Sequence, residues 1–213
     1  KEIRDKKCLT DKNDERYAFY KAAEESVMAL LTISEKFSKC AEQMLKSIKD
    51  EEQRESLELI AKTACRIPKN PPQTFYEGLC MLLFTREAIA TLENIGISQL
   101  GHVDRLLGAL YENDIKSGRI TEAQARELVG IWMAYTDIKF DLENRDWPET
   151  STCIQLGGCD AFGNPIYNDV TKIFIEEHHK LHLVNPKLNC RYSKESKKEY
   201  LMTIGKAVLD GHN

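Results

Sequence analysis

Apolar residues recur at three- and four-residue steps through most of the chain. Tyr17, Tyr20, Ala23, Val27, Leu30 and Leu31 form one stripe, and Phe37, Cys40, Met44 and Ile48 continue it. That spacing predicts a long helix, or two, over about residues 1–50. Leu57, Ile60, Ala61 and Ala64 predict another over about 52–65. Pro68, Pro71 and Pro72 then interrupt it, because proline fixes φ and lacks the N–H a helix needs. Thr74-Phe75-Tyr76-Glu77 has the form of a capping box and opens a predicted helix to about Glu93. Residues 94–101 are Gly-punctuated and partly β-like. A helix from Val103 to about Lys116 is expected to bury Leu106, Leu107, Leu110 and Tyr111 and to stop at Gly118. Thr121-Glu122-Ala123-Gln124 is a second capping box, followed by a face of Ala125, Leu128, Val129, Trp132 and Met133.

The pattern changes after the polar connection 141–150. Residues 152–156 read as a strand ending at Gly157-Gly158, and residues 188–192 as another. A helix over about 167–184 joins them, entered through Gly163-Asn164-Pro165, and a last helix covers about 196–210. Two strands joined by one helical crossover lie parallel. Two strands alone leave unpaired edges, so this third reads as part of a larger α/β sheet. The organisation expected is a helical region, 1–66, followed by an α/β segment, 67–213.

Composition narrows the function classes. Thirty Lys and Arg against thirty-four Asp and Glu give a net charge of −4. Without a basic block, nucleic acid is not expected as the main partner. The longest apolar run, Gly78 to Phe84, is too short to span a membrane. No apolar signal segment follows the basic start, so a cytoplasmic protein is expected, and Lys1 reads as a trimmed or internal boundary. The seven cysteines are odd in number and contain no C-x-x-C pair. They are expected to be reduced and to act mainly as small buried apolar groups.

The motifs form an ordered series: Pro71-Pro72-x-Thr74-Phe75-x-Glu77, Glu93-x-x-Gly96-x-Ser98, Gly101-x-x-Asp104 and Tyr111-x-x-Asp114-x-x-x-Gly118. Gly157-Gly158, Gly163, Asn168 and Pro186-x-Leu188-x-x-Arg191 complete it. In order and spacing the series resembles the glycyl radical enzymes of the pyruvate formate-lyase family, over about Cys65 to Tyr192. The resemblance implies a helix-rich α/β fold, here a partial segment of a ten-stranded α/β barrel behind an N-terminal helical region. It implies a lyase or dehydratase (or a formate acetyltransferase-like transferase) working in anaerobic metabolism on a small oxygenated metabolite. The cofactor implied is a protein glycyl radical, installed by an S-adenosylmethionine radical activase. The partners implied are the substrate, that activating enzyme and a second copy in a homodimer. The family's Gly-Cys-Val-Glu-Pro-like and Arg-Val-x-Gly-Tyr-like strings do not occur in these 213 residues. The chain is therefore expected to be a central fragment, inactive alone, with no catalytic residue or metal ligand of its own. The alternative is a non-catalytic helical scaffold or binding module derived from the same fold.

The resemblance makes Ser98 and Ile97 the substrate-binding candidates, with the serine able to hydrogen-bond a hydroxyl or carboxylate. A loop serine bonded to its own backbone is the competing reading. Dehydratases of the family often carry histidine where Ile97 stands. His102 replaces an arginine of the Gly-Arg-x-Asp string, and could hold Asp104 only when protonated. Asp104 is expected to cap the helix that follows. His178, His179 and His182 form a cluster in which His178 and His182, four apart, have a spacing seen in metal sites, but an ordinary polar-to-core helix edge is the preferred reading. Cys159 reads as a structural or incidental cysteine, the nearby glycines as turn residues, and Trp132, Met133 and Tyr135 as core or helix-contact residues.

Overall fold

The computed structural model describes residues 1–93, 98–137 and 152–210. The chain divides into two compact units, Lys1–Pro71 and Pro72–Asn213.

The first unit holds α1 (Glu2–Cys8), α2 (Glu15–Leu45) and α3 (Glu51–Arg66). Asp14 caps α2 by accepting the Arg16 N–H, and Asp50 caps α3 by accepting the Gln53 N–H. Glu24 of α2 pairs with Arg4 and Lys7 and so ties down α1. The predicted apolar stripe is not what meets α3. Val27, Phe37 and Met44 are exposed, while Ser34, Ser38 and Ala41 are buried. The reason is close approach. Ser34 donates to the carbonyls of Ala64 (2.6 Å) and Ile67 (2.5 Å), and Ser38 to that of Ala61 (2.9 Å). Small side chains admit the neighbouring backbone, and their hydroxyls satisfy acceptors there.

The second unit contains α4 (Phe75–Glu93), β1 (Ser98–His102), α5 (Val103–Lys116), α6 (Glu122–Asp137), β2 (Thr152–Gly157), α7 (Asp169–Lys180), β3 (Lys187–Arg191) and α8 (Lys198–Leu209). The three strands form one parallel sheet in the order β1-β2-β3. The parallel pairing expected for residues 152–156 and 188–192 is present, with Ile154 opposite Leu188 and Leu156 opposite Cys190. The segment read as only partly β-like supplies the third strand. Helices pack on one face of the sheet, around Leu107, Val129, Ile154, Leu156, Ile173 and Phe174.

Both predicted capping boxes form at their threonines. Thr74 accepts the Glu77 N–H at 3.1 Å, but Glu77 reaches back to the N–H of Gln73, one residue beyond the expected partner. Thr121 and Gln124 bond reciprocally. Leu106, expected inside, is 57% exposed. The buried face of α5 runs instead through Val103, Leu107, Tyr111 and Asp114, at steps of three and four. Trp132 and Met133 are core, with the Trp132 indole donating to the Leu79 carbonyl, whereas Tyr135 is exposed.

Asp114 explains its place in the motif series. It lies on α5, yet its carboxylate accepts the N–H of Phe75 at 2.8 Å, capping α4 from outside, and also pairs with Arg119. Replacing it with alanine uncaps α4 in the interior. Asp114→Ala should cost about 2 kcal/mol, read as a lower urea midpoint of the purified protein. An unchanged midpoint would show that the cap carries no stability.

Candidate functional site

The carboxyl ends of β1, β2 and β3 converge on one place, the usual location of ligand sites in parallel α/β sheets. Asp104 organises it. Its Oδ2 accepts the Gly157 N–H (2.7 Å) and the Thr171 hydroxyl (2.8 Å), while Oδ1 accepts the Arg105 N–H (2.9 Å). One carboxylate thus joins the end of β2 to the N-termini of α5 and α7. Asp104 sits inside the first turn of α5 rather than at its cap, and His102 is not among its hydrogen-bond donors. Burial pushes its carboxyl above the ordinary range, and the bonds from Gly157, Thr171 and Arg105 oppose that shift. Asn168 caps α7 in a reciprocal box with Thr171 and donates to the Asp104 carbonyl at 3.0 Å.

Gly157 and Gly158 are left-handed, with φ of 67° and 80°. Gly157 passes directly beneath the ring of Tyr200, whose hydroxyl lies 3.1 Å from the carbonyl oxygens of both Leu156 and Arg191. The Gly158 N–H donates to the Arg191 carbonyl at 2.8 Å, locking β2 and β3 together past the last paired residues. Cys159 is exposed and bridges to Pro165, inside a turn that Asp160 closes through bonds from Phe162 and Asn164.

The two faces of the sheet differ. Ile154, Leu156, Leu188 and Cys190 point toward the helices. Strand alternation places Cys153, Gln155, Lys187, Asn189 and Arg191 on the other side, joined by the exposed Gln99 of β1. Fully covered parallel sheets are apolar on both faces. This one carries polar and cationic residues on one face, as a wall facing a polar space would.

Ser98 is the first residue of β1, paired with Thr152, but its side chain lies outside the described residues, as does Ile97. The described histidines do not form a metal cluster. Helix α7 ends at Lys180 and His182 is left-handed at φ 52°, so it does not share a helical face with His178. His178 is buried, and burial depresses its pKa while the Pro186 carbonyl opposes this. His179 pairs with Asp210 at 3.2 Å. Among the described residues no cluster of His, Cys, Asp or Glu could hold a metal ion, and no helix is long and apolar enough to cross a membrane.

No cysteine is in a disulfide, but Cys8, Cys40, Cys65 and Cys159 are exposed, contrary to the expectation that they serve as buried apolar groups. The helices carrying the first three bury small residues instead. Cys190 is the opposite case: burial pushes its thiol up to about 11, so it stays protonated at neutral pH.

The family model described as pyruvate formate lyase-like matches residues 1–213. The chain belongs to the pyruvate formate lyase-like family. An isethionate sulfite-lyase of Nitratidesulfovibrio vulgaris is 26% identical over 207 residues, covering 93% of this chain and 25% of its own length. A trans-4-hydroxy-L-proline dehydratase of Clostridioides difficile is 24% identical, over 81% of this chain and 23% of its own length. The solved structure of a glycyl radical enzyme from Archaeoglobus fulgidus superposes with a TM-score of 0.85 at 27% identity, covering all of this chain and 28% of the other. The pyruvate formate lyase-like chain described here therefore spans about a quarter of the length of these relatives.

The missed signals are local. Asn168-x-x-Thr171 is a capping box readable by its spacing. The bond from Thr171 to Asp104 is not, because 67 residues separate the partners.

Proposed function

We propose that this chain forms one wall of the reaction chamber of a glycyl radical lyase or dehydratase that acts on a small oxygenated metabolite. The observation that carries this reading is the polar far face of a parallel sheet, in a chain matched to the family along its whole length. In the complete enzyme, further strands would extend this sheet into the ten-stranded barrel, and residues 1–66 would be an N-terminal helical region. Ser98 and Ile97 would lie at the entry of β1 as pocket residues.

The cysteine and glycine strings of the radical machinery do not occur in these 213 residues, so they do not fit the group by themselves. The chain alone is accordingly read as inactive. Its own contribution is structural and selective: Asp104, Gly157 and Tyr200 fix the strand ends, and the far face meets the substrate. In the cell this reading calls for an anaerobic cytoplasm, an S-adenosylmethionine radical activase and a homodimer.

The test is to express the full reading frame containing this segment and activate it anaerobically with a radical activase. A glycine-centred doublet in the electron spin resonance spectrum, with turnover of a small hydroxylated substrate, is the expected result. A full-length protein that never acquires a radical would favour the scaffold reading instead.

A further inference from the structure

The carboxyl edge of the sheet has a feature that the chamber-wall reading does not use. Arg191, the last residue of β3, stands opposite Gly157 in the register, where β2 offers no side chain. The next residue, Gly158, is also bare. A Cβ placed there would lie 3.4 Å from the Cβ of Arg191, 3.8 Å from its Cδ and 3.9 Å from Cε1 of His102, all ordinary contact distances. Gly158 therefore leaves room for a ligand atom between an arginine from β3 and a histidine from β1, whereas the space over Gly157 is filled by Tyr200.

Two nitrogen-bearing side chains, one of them a cation, border that space. Arg191 is exposed and forms no ion pair among the described residues, and the Nδ1 of His102 is buried with no hydrogen-bond partner. The nearby carboxylates are occupied elsewhere. Asp104 lies beneath Gly157, on the core side, with three donors on it. Asp160 accepts from Phe162 and Asn164 within its own turn. No strand residue on this face is acidic, in a chain whose net charge is −4. A planar guanidinium with free N–H groups matches a carboxylate or sulfonate, whereas a neutral diol would leave its charge unanswered.

We propose that Arg191 and His102, on either side of Gly158, bind the acid group of a small anionic substrate. This rests on the chamber-wall reading and adds the substrate class to it: an organic anion rather than a neutral polyol.

Binding to the full-length, unactivated protein tests it, by titration calorimetry with the anions isethionate and 3-hydroxypropanoate and the neutral 1,2-propanediol. The expected result is that one or both anions bind and the diol does not, and that Arg191→Gln weakens anion binding by about tenfold or more. Lys116→Gln changes an exposed cation at the C-terminal end of α5, about 20 Å from His102, and should leave binding unchanged. Thermal unfolding of both variants at the wild-type midpoint confirms that they fold. Tighter binding of the diol, equal anion affinity in Arg191→Gln and wild type, or no anion binding at millimolar concentration would each overturn the proposal. Radical formation in the same preparation is read separately. A protein that binds anions through Arg191 but never acquires a radical would refute the enzyme reading and leave this site standing.

Discussion

Gly157→Ala should abolish the native packing of the sheet end. A Cβ at this position falls within the Tyr200 ring, 2.7 Å from Cε1 and closer still to the hydroxyl, while φ is 67°. The two penalties add. An alanine at this φ is strained. The clash cannot be relieved by a rotamer change either, because Tyr200 is 1% exposed and anchored to the carbonyl region of Leu156 and Arg191. The combined cost should be about 4 kcal/mol, a large part of the stability of a typical domain. Chemical denaturation of the full-length protein measures it. Gly163→Ala is the control, since φ is 86° there but nothing lies within 4 Å of the added atom. If the two variants lose equal stability, the close approach of Tyr200 contributes nothing and only backbone strain matters.

Asp104→Ala should be nearly as damaging, at about 3 kcal/mol, because it strands the buried Gly157 N–H and removes the main partner of Thr171. Asp104→Asn keeps one oxygen for those two donors and loses the bond from Arg105, so its cost should be about 1 kcal/mol. The pair also predicts a pH effect. Burial raises the Asp104 carboxyl in the folded protein above its unfolded value. Its titration therefore favours the folded state in full below the ordinary carboxylate range. That contribution is lost as pH rises through the raised folded value. Relative to Asp104→Asn, the wild type should lose ground across that interval. Urea midpoints of both proteins over a pH series would show it. A difference that does not vary with pH would mean that the buried carboxylate titrates as it does in the unfolded chain.

These two positions show where reading the chain stops. Gly157-Gly158 at a strand end announces a turn, and the sequence supports that much. Nothing local says that the first glycine is required by a tyrosine 43 positions later, because the close approach is made by α8 folding back over β2. His102 illustrates the same limit. Its replacement of an arginine suggested a partner role toward Asp104, yet the carboxylate is satisfied by two backbone amides and a threonine. The bare space on its other side, shared with Arg191, emerges only when three strands are aligned.

By itself the amino-acid order determined the helices with strong apolar periodicity, the capping boxes at Thr74 and Thr121, the two C-terminal strands and the family, since each depends on residues a few positions apart or on motifs in series. Only the tertiary structure decided that Ser34 and Ser38 face α3, that Asp114 caps a helix other than its own, and that β1 joins the sheet. It also separated the polar face of the sheet from the apolar one. The physical reason is that hydrogen bonds and close packing are short-ranged in space but not in sequence. A carboxylate finds whichever donors the fold brings within about 3 Å, and no local pattern encodes which they will be.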